Sequence, residues 1–217
     1  MKDNFDNANQ AFNYYWKFIK NNGIDFDNTK AIFNCGFLIN NPEDNYIKNK
    51  KRNWNIKYAQ AEWDWYLSED PCIDTLKKIY GKIPPIWEKM ADNFRMVRSN
   101  YGWQWSRGGQ LDYIVNKLKN KHNTRHATIS IYDGKENHNY TYDTPCTYAV
   151  QFTIIDNKLN MSVYMRSNDL WYGFCNDQFC FSELQKLISK KIKIKIGTYY
   201  HHAHNMHIYN NKLNNKL

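Results

Sequence analysis

The sequence predicts an α+β fold, and three observations carry that reading. In the first half, apolar residues recur at intervals of three, four and seven, the period of one helix face. From residue 127 the period shortens to two, the signature of strands with one buried side. No repeat, linker or compositional break separates the two patterns, so residues 1–217 read as one domain. Mixed elements of this kind pack as a large mixed or antiparallel sheet with helices on one face.

Residues 4–20 carry Phe5, Phe12, Tyr15, Trp16 and Ile19 at helical spacing, and Asn21-Asn22-Gly23 supplies the stop. Asp27-Asn28-Thr29 is turn chemistry before a strand over 31–39, and 40–52 is a polar loop. A helix over 58–67 sets Tyr58, Glu62, Trp65 and Tyr66 on one side and is closed by Pro71. Pro84-Pro85 gives an extended entry to 86–91, and 100–105 is a turn-rich aromatic patch. Residues 110–118 keep Leu111, Ile114, Val115 and Leu118 in helical register. Strands follow over 127–132, 148–155 and 159–165, the last two joined by a turn at Asp156-Asn157. Residues 177–190 return to helix with Phe181, Leu184, Leu187 and Ile188 inward. Residues 191–196 alternate Lys and Ile, as in a strand with one wet face, and 199–209 is a final extended segment.

Composition narrows the function classes. The formal net charge is +9, mostly from lysines in 48–52, 117–121, 190–195 and the tail. A basic surface attracts nucleic acid, yet lysines scattered through an Asn-, Ile- and Tyr-rich chain more often form a solvated face. The N-terminus has no apolar run and no stretch is long enough to cross a bilayer, so a cytoplasmic protein is expected. Five cysteines at irregular spacing without a C-x-x-C pair argue for free thiols and against structural zinc. His201, His202, His204 and His207 lack matching thiol or carboxylate spacing, so no metal is expected.

The chemistry concentrates in residues 143–177. Cys146 follows Pro145 and opens a strand, and Arg166 lies at the end of the next one, where a cation favours the reactive thiolate. Arg166-Ser167 is a phosphate grip: a planar pair of guanidinium donors plus a hydroxyl. Arg125, beside His126, offers a second cation. His207 and Tyr209 share one strand face and suit a sugar hydroxyl. Glu62 sits among tryptophans, where burial would raise its pKa and fit it for proton transfer. Tyr101 and Trp87 line a possible pocket wall.

In order, Glu62-Trp63-Asp64-Trp65-Tyr66-Leu67, Trp87, Asn100-Tyr101-Gly102-Trp103-Gln104-Trp105, Arg125-His126, Pro145-Cys146 with Gln151-Phe152, Arg166-Ser167-Asn168-Asp169 with Gly173, and His207-Ile208-Tyr209 resemble the thymidylate synthase family from about residue 29 to 209. The resemblance implies that family's fold and a homodimer packed sheet to sheet. Synthases carry asparagine four residues after the glycine at position 173. Here the residue is Asp177, as in the family's phage branch that hydroxymethylates deoxycytidylate. Ionised aspartate accepts hydrogen bonds and donates none, which suits the cytosine N4 amine and opposes the uracil O4.

The implied reaction starts with Cys146 adding to C6 of dCMP. C5 then takes a one-carbon unit from 5,10-methylenetetrahydrofolate with Tyr101 assisting loss of the C5 proton. Glu62 positions the water that completes 5-hydroxymethyl-dCMP. By the same resemblance Arg166, Ser167 and Asn168 hold the nucleotide, His207 and Tyr209 its sugar. Trp87, Asp169 and Gly173 face the folate. Arg125, with His126, reaches the phosphate site of the partner subunit. Several positions depart from the pattern. His126 stands for a second arginine, Asn28 or Lys30 for an N-terminal arginine, Thr147 for histidine and Met165 for glutamine, and the chain ends at Leu217 without the tail that covers folate. Three other readings stay open: a dUMP enzyme if Asn176 reads the base, a CMP hydroxymethylase, and a catalytically idle nucleic-acid-binding relative.

Overall fold

The computed structural model describes residues 1–136 and 143–213; the end of the basic tail lies outside them. Among the described residues seven strands form one mixed sheet in the order β1-β3-β7-β6-β5-β4, with β2 paired to β3. They are β1 (Asn4–Phe5), β2 (Ile24–Phe26), β3 (Thr29–Ile39), β4 (Thr128–Ser130), β5 (Thr147–Ile155), β6 (Lys158–Asp169) and β7 (Lys195–Tyr209). The parallel pairs are β1 with β3 and β6 with β7, and the other pairs are antiparallel. The helices are α1 (Ala8–Asn22), α2 (Ile56–Leu67), α3 (Ile73–Tyr80), α4 (Pro85–Met90), α5 (Tyr101–Ser106), α6 (Gln110–Asn120) and α7 (Gly173–Ile192).

The α+β class and the mixed sheet are as the periodicities predict. Asp156 and Asn157 both hold positive φ, so β5 and β6 close in the tight turn whose twist matches paired strands. On β6, Leu159, Met161, Val163 and Met165 are buried while the residues between them are partly open. This one-sided burial follows from α1 and α7 packing on the sheet. Among the described residues no helix is long and apolar enough to cross a membrane.

Three local expectations differ from the structure. Helix α1 starts at Ala8, because the Asn7 side chain accepts the Gln10 N–H and caps it, leaving Phe5 to pair as strand. The aromatic patch at 100–105 is helical: Asn100 accepts the Trp103 N–H, and Gly102 lets α5 approach α2 so closely that a Cβ there would overlap the Tyr66 carbonyl. The Lys/Ile alternation at 191–196 is strand only from Lys195 onward. Helix α7 runs on to Ile192, burying Ile188 and Ile192 four residues apart, and Lys193 ends it at φ 57°.

Candidate active site

Strand β6 and the N-terminal turns of α7 organise the site. Cys146 lies immediately before β5, where the Arg166 N–H donates to its carbonyl at 2.8 Å. A register shift between Thr147 and Ala149 marks a bulge beside it, which bends the strand end away from the regular ladder. The Arg166 guanidinium donates from Nε to the Pro145 carbonyl (3.1 Å) and from Nη2 to the Thr144 carbonyl (2.8 Å). Arg166 therefore braces the loop that carries the nucleophile. The Ser99 hydroxyl, bonded to the Asp143 carboxyl, braces the same loop from below.

The expectation that Arg166 keeps Cys146 as thiolate is corrected here. Burial pushes the thiol up to about 12, and the favourable charge of Arg166 does not offset it. The desolvation of a sulfur anion outweighs one guanidinium already bonded to two carbonyls. Cys146 rests as a thiol and must lose its proton as it attacks. Cys35, Cys175 and Cys180 are buried and Cys72 partly so, all unbridged.

Glu62 is 4% exposed on α2, not the solvated helical glutamate its position alone would suggest. Tyr66 Oη donates to Oε1 (2.9 Å), Asn176 Nδ2 donates to Oε2 (2.8 Å), and the Tyr58 hydroxyl is a third donor. Burial nonetheless lifts its carboxyl to about 7. Trp87 Nε1 donates to Tyr58 Oη at 2.6 Å, so the indole at the α4 end is tied to the carboxylate through one tyrosine.

Asp177 lies in the second turn of α7 and is pushed up to about 8, first by burial and then by the charge of Glu62. Asn168 Nδ2 donates to its Oδ2 at 2.7 Å. Gly173 leaves room for that contact, because a Cβ there would stand 3.1 Å from Asn168 Nδ2 and 3.2 Å from Asp177 Oδ2. Asn176, one residue earlier, is committed elsewhere: Trp54 Nε1 donates to its Oδ1 at 2.7 Å while its amide nitrogen serves Glu62.

Asp169 ends β6. Its oxygens accept the Trp171 and Tyr172 N–H groups (2.9 and 3.2 Å), shaping the turn into α7, and burial raises its carboxyl to about 6. The sheet register sets Asp169 beside His207 and Ser167 beside Asn205. His207 and Tyr209 meet edge to face with ring centres 5.3 Å apart, as expected for one strand face. Burial lowers His207, so its imidazole is neutral near pH 7. Tyr101 Oη accepts the Thr147 N–H at 3.3 Å, next to Cys146.

Arg125 and His126 do not join this group within one chain. They are exposed and line a separate hollow of about 400 Å³ with Lys117, Lys121 and Thr124. The Phe152 N–H bonds the Ala127 carbonyl, six residues or roughly 20 Å along β5 from Cys146.

Helical spacing placed Tyr58 and Tyr66 on the side of Glu62, where both hydroxyls reach its carboxyl. Sequence reasoning missed Trp54, which holds Asn176, and Tyr199 and His201 behind Asn168. These come from distant strands and loops, and nothing local signals them. The arrangement as a whole sets a thiol, a phenol and three carboxyls with raised pKa, Glu62, Asp169 and Asp177, near one another. Such a set can add sulfur to an electron-poor ring and move protons at its edge.

The thymidylate synthase family matches residues 21–216. Deoxycytidylate 5-hydroxymethyltransferase of Enterobacteria phage T4 is 37% identical over 131 residues, 57% of this chain and 52% of that protein. The chain thus spans about half the length of the phage relatives it matches. Thymidylate synthase 1 of Bacillus spizizenii is 25% identical over 227 residues, covering 95% of this chain and 81% of that one. Thermostable thymidylate synthase A from Bacillus subtilis superposes with a TM-score of 0.77 at 23% identity, over 95% of this chain and 81% of that one. Matched over nearly its whole length, and folded as that family folds, this chain belongs to the thymidylate synthase family.

Proposed function

We propose that the chain transfers a one-carbon unit to C5 of dCMP and hydrates it, giving 5-hydroxymethyl-dCMP. The observation that carries the base preference is the division of labour between neighbours on α7. Asn176 is held between Trp54 and Glu62, which leaves Asp177, beside Asn168, to face the base. A carboxyl raised to about 8 carries a hydrogen near pH 7, so one oxygen accepts from the cytosine N4 amine while the other donates to N3, the reverse of what uracil O4 and N3–H require. The phage relative acts on deoxycytidylate by its name.

The chain's own groups then have separable tasks. Arg166, with Ser167, binds the phosphate while its guanidinium keeps the Thr144–Pro145 carbonyls in place. His207 and Tyr209 hold the deoxyribose. Cys146 Sγ bonds to C6 as its proton passes to water, and the same bond breaks once water has added at the new C5 carbon, returning the thiol and freeing the product. Asp177 holds the N3 and N4 edge and steadies the charge the ring takes up. Tyr101 Oη, set against the Thr147 N–H, helps remove the C5 proton. Glu62, near 7, is the carboxyl able both to give and to take a proton at neutral pH, and it orients the hydrating water.

The chemistry of the donor set fits 5,10-methylenetetrahydrofolate. The Asp169 oxygens each take one backbone N–H and retain lone pairs for ring N–H groups, while Trp87 and Tyr172 offer partly exposed flat faces. Bound there, the folate supplies the one-carbon unit. A second copy of the chain is proposed on the open sheet face carrying Tyr148, Tyr164, Tyr200 and His202, with Arg125 reaching the partner's phosphate site.

Mass analysis of the product made from dCMP and methylenetetrahydrofolate tests the proposal. Hydroxymethyl-dCMP is expected. Turnover of dUMP with dCMP untouched would overturn the base preference, and a methyl product would overturn the hydration step.

A further inference from the structure

Behind Asp177 runs a buried chain of hydrogen bonds that the proposed chemistry does not use. Asn168 Nδ2 donates to Asp177 Oδ2 at 2.7 Å. On its other side Asn168 Oδ1 lies 3.1 Å from His201 Nε2, and His201 Nδ1 lies 2.9 Å from Tyr199 Oη. Asn168 is 3% exposed, and His201 and Tyr199 are wholly buried. The His201 ring is clamped between Phe37 and Phe174, each with its centre 5.2 Å away, so it cannot turn to seek other partners.

The geometry sets the direction of the bonds. The Asn168 amide presents its nitrogen to Asp177 and its oxygen to His201, and a carboxyl oxygen can accept from that nitrogen whether or not the other oxygen carries a hydrogen. His201 then carries its hydrogen on Nε2, its Nδ1 is an acceptor, and the Tyr199 hydroxyl donates to it. The opposite polarity would turn the Asn168 carbonyl onto Asp177, which an ionised carboxylate repels and which a protonated one can meet only by giving up its hydrogen. Both alternatives change what Asp177 offers to a bound base.

We propose that Tyr199 and His201 are positioning residues which fix the polarity of Asn168 and thereby hold Asp177 as a hydrogen-bond acceptor toward the pyrimidine, so that base preference is set partly from two strands behind the pocket. The proposal rests on Asp177 facing the base. It adds that preference is a property of the chain Tyr199–His201–Asn168–Asp177 and not of Asp177 alone.

Specificity ratios test it, meaning kcat/KM for dCMP over kcat/KM for dUMP. His201→Phe removes the N–H and frees Asn168 to rotate, and the ratio should fall at least tenfold. His201→Gln, which restores an N–H, should recover most of it. Tyr199→Phe deletes a single oxygen and should lower the ratio about threefold, and it carries the test if His201→Phe does not fold. In an Asp177→Asn background the amide adapts to either polarity of Asn168, so His201→Gln and Tyr199→Phe should each change the ratio less than twofold. A merely structural role would lower both nucleotides together and leave the ratio alone. An unchanged ratio in the folded variants overturns the relay. A wild type that prefers dUMP overturns the dCMP reading instead, while the relay still registers as a change of ratio in the variants.

Discussion

Replacing Asp177 by asparagine tests the electrostatics and the base reading together. The carboxyl sits at about 8, raised from 3.8 by burial and by Glu62. A group whose folded value exceeds its unfolded one binds more protons when folded, so stability is lost as pH rises from about 4 through about 8. At about 1.4 kcal/mol per pH unit, that difference sets a ceiling of ~6 kcal/mol. Water and relaxation around a partly open group bring it to roughly 2–3 kcal/mol. The amide is uncharged and nearly isosteric, and it escapes this cost. Asp177→Asn should melt with the wild type at pH 4 and about 5–10 °C above it at pH 9, followed by circular dichroism. The amide also donates where the carboxylate cannot. The kcat/KM ratio of dCMP to dUMP should therefore fall about 100-fold, the size expected when a buried polar contact is left unpaired. Coincident melts at pH 9 would refute the account of burial, and an unchanged ratio would refute the base-reading role.

Glu62→Gln keeps the volume, but its single amide oxygen can accept from only one of Tyr66 and Asn176, and it loses the proton. It should lower kcat by about 100-fold with a smaller change in KM, and remove the limb of the pH–rate profile near 7. Arg166→Lys cannot span the Thr144 and Pro145 carbonyls, so dCMP binding should weaken about 10- to 100-fold by calorimetry, more than loss of charge alone would give. Gly173→Ala crowds the Asn168–Asp177 bond by a few tenths of an ångström and should cut kcat/KM for dCMP about tenfold while the melting temperature changes little.

The order of motifs, the switch of period at residue 127 and the one-sided strands were legible in the chain, because amphipathic spacing is imposed by the sheet and helix faces that bury those residues. Cys146, Glu62, Tyr101, Asp169 and Asp177 stood out as candidates by their neighbours in the sequence. The ends of elements were less so: Asn7 and Asn100 decide where helices begin through single side-chain bonds that compete with equally plausible turns. Lys191–Ile196 misled because alternation fits either a strand or a helix end with an isoleucine every fourth residue.

By itself the sequence determined which groups exist and which elements carry them. Only the tertiary structure decided their chemical state. Desolvation and mutual charge depend on what closes over a group from every side, and for Cys146 that closure outweighed the arginine its own strand neighbour supplies. Likewise Asn176 and Asp177 are adjacent in sequence, yet Trp54 and Glu62 claim one and Asn168 the other, because a helix turns successive side chains toward different parts of the fold.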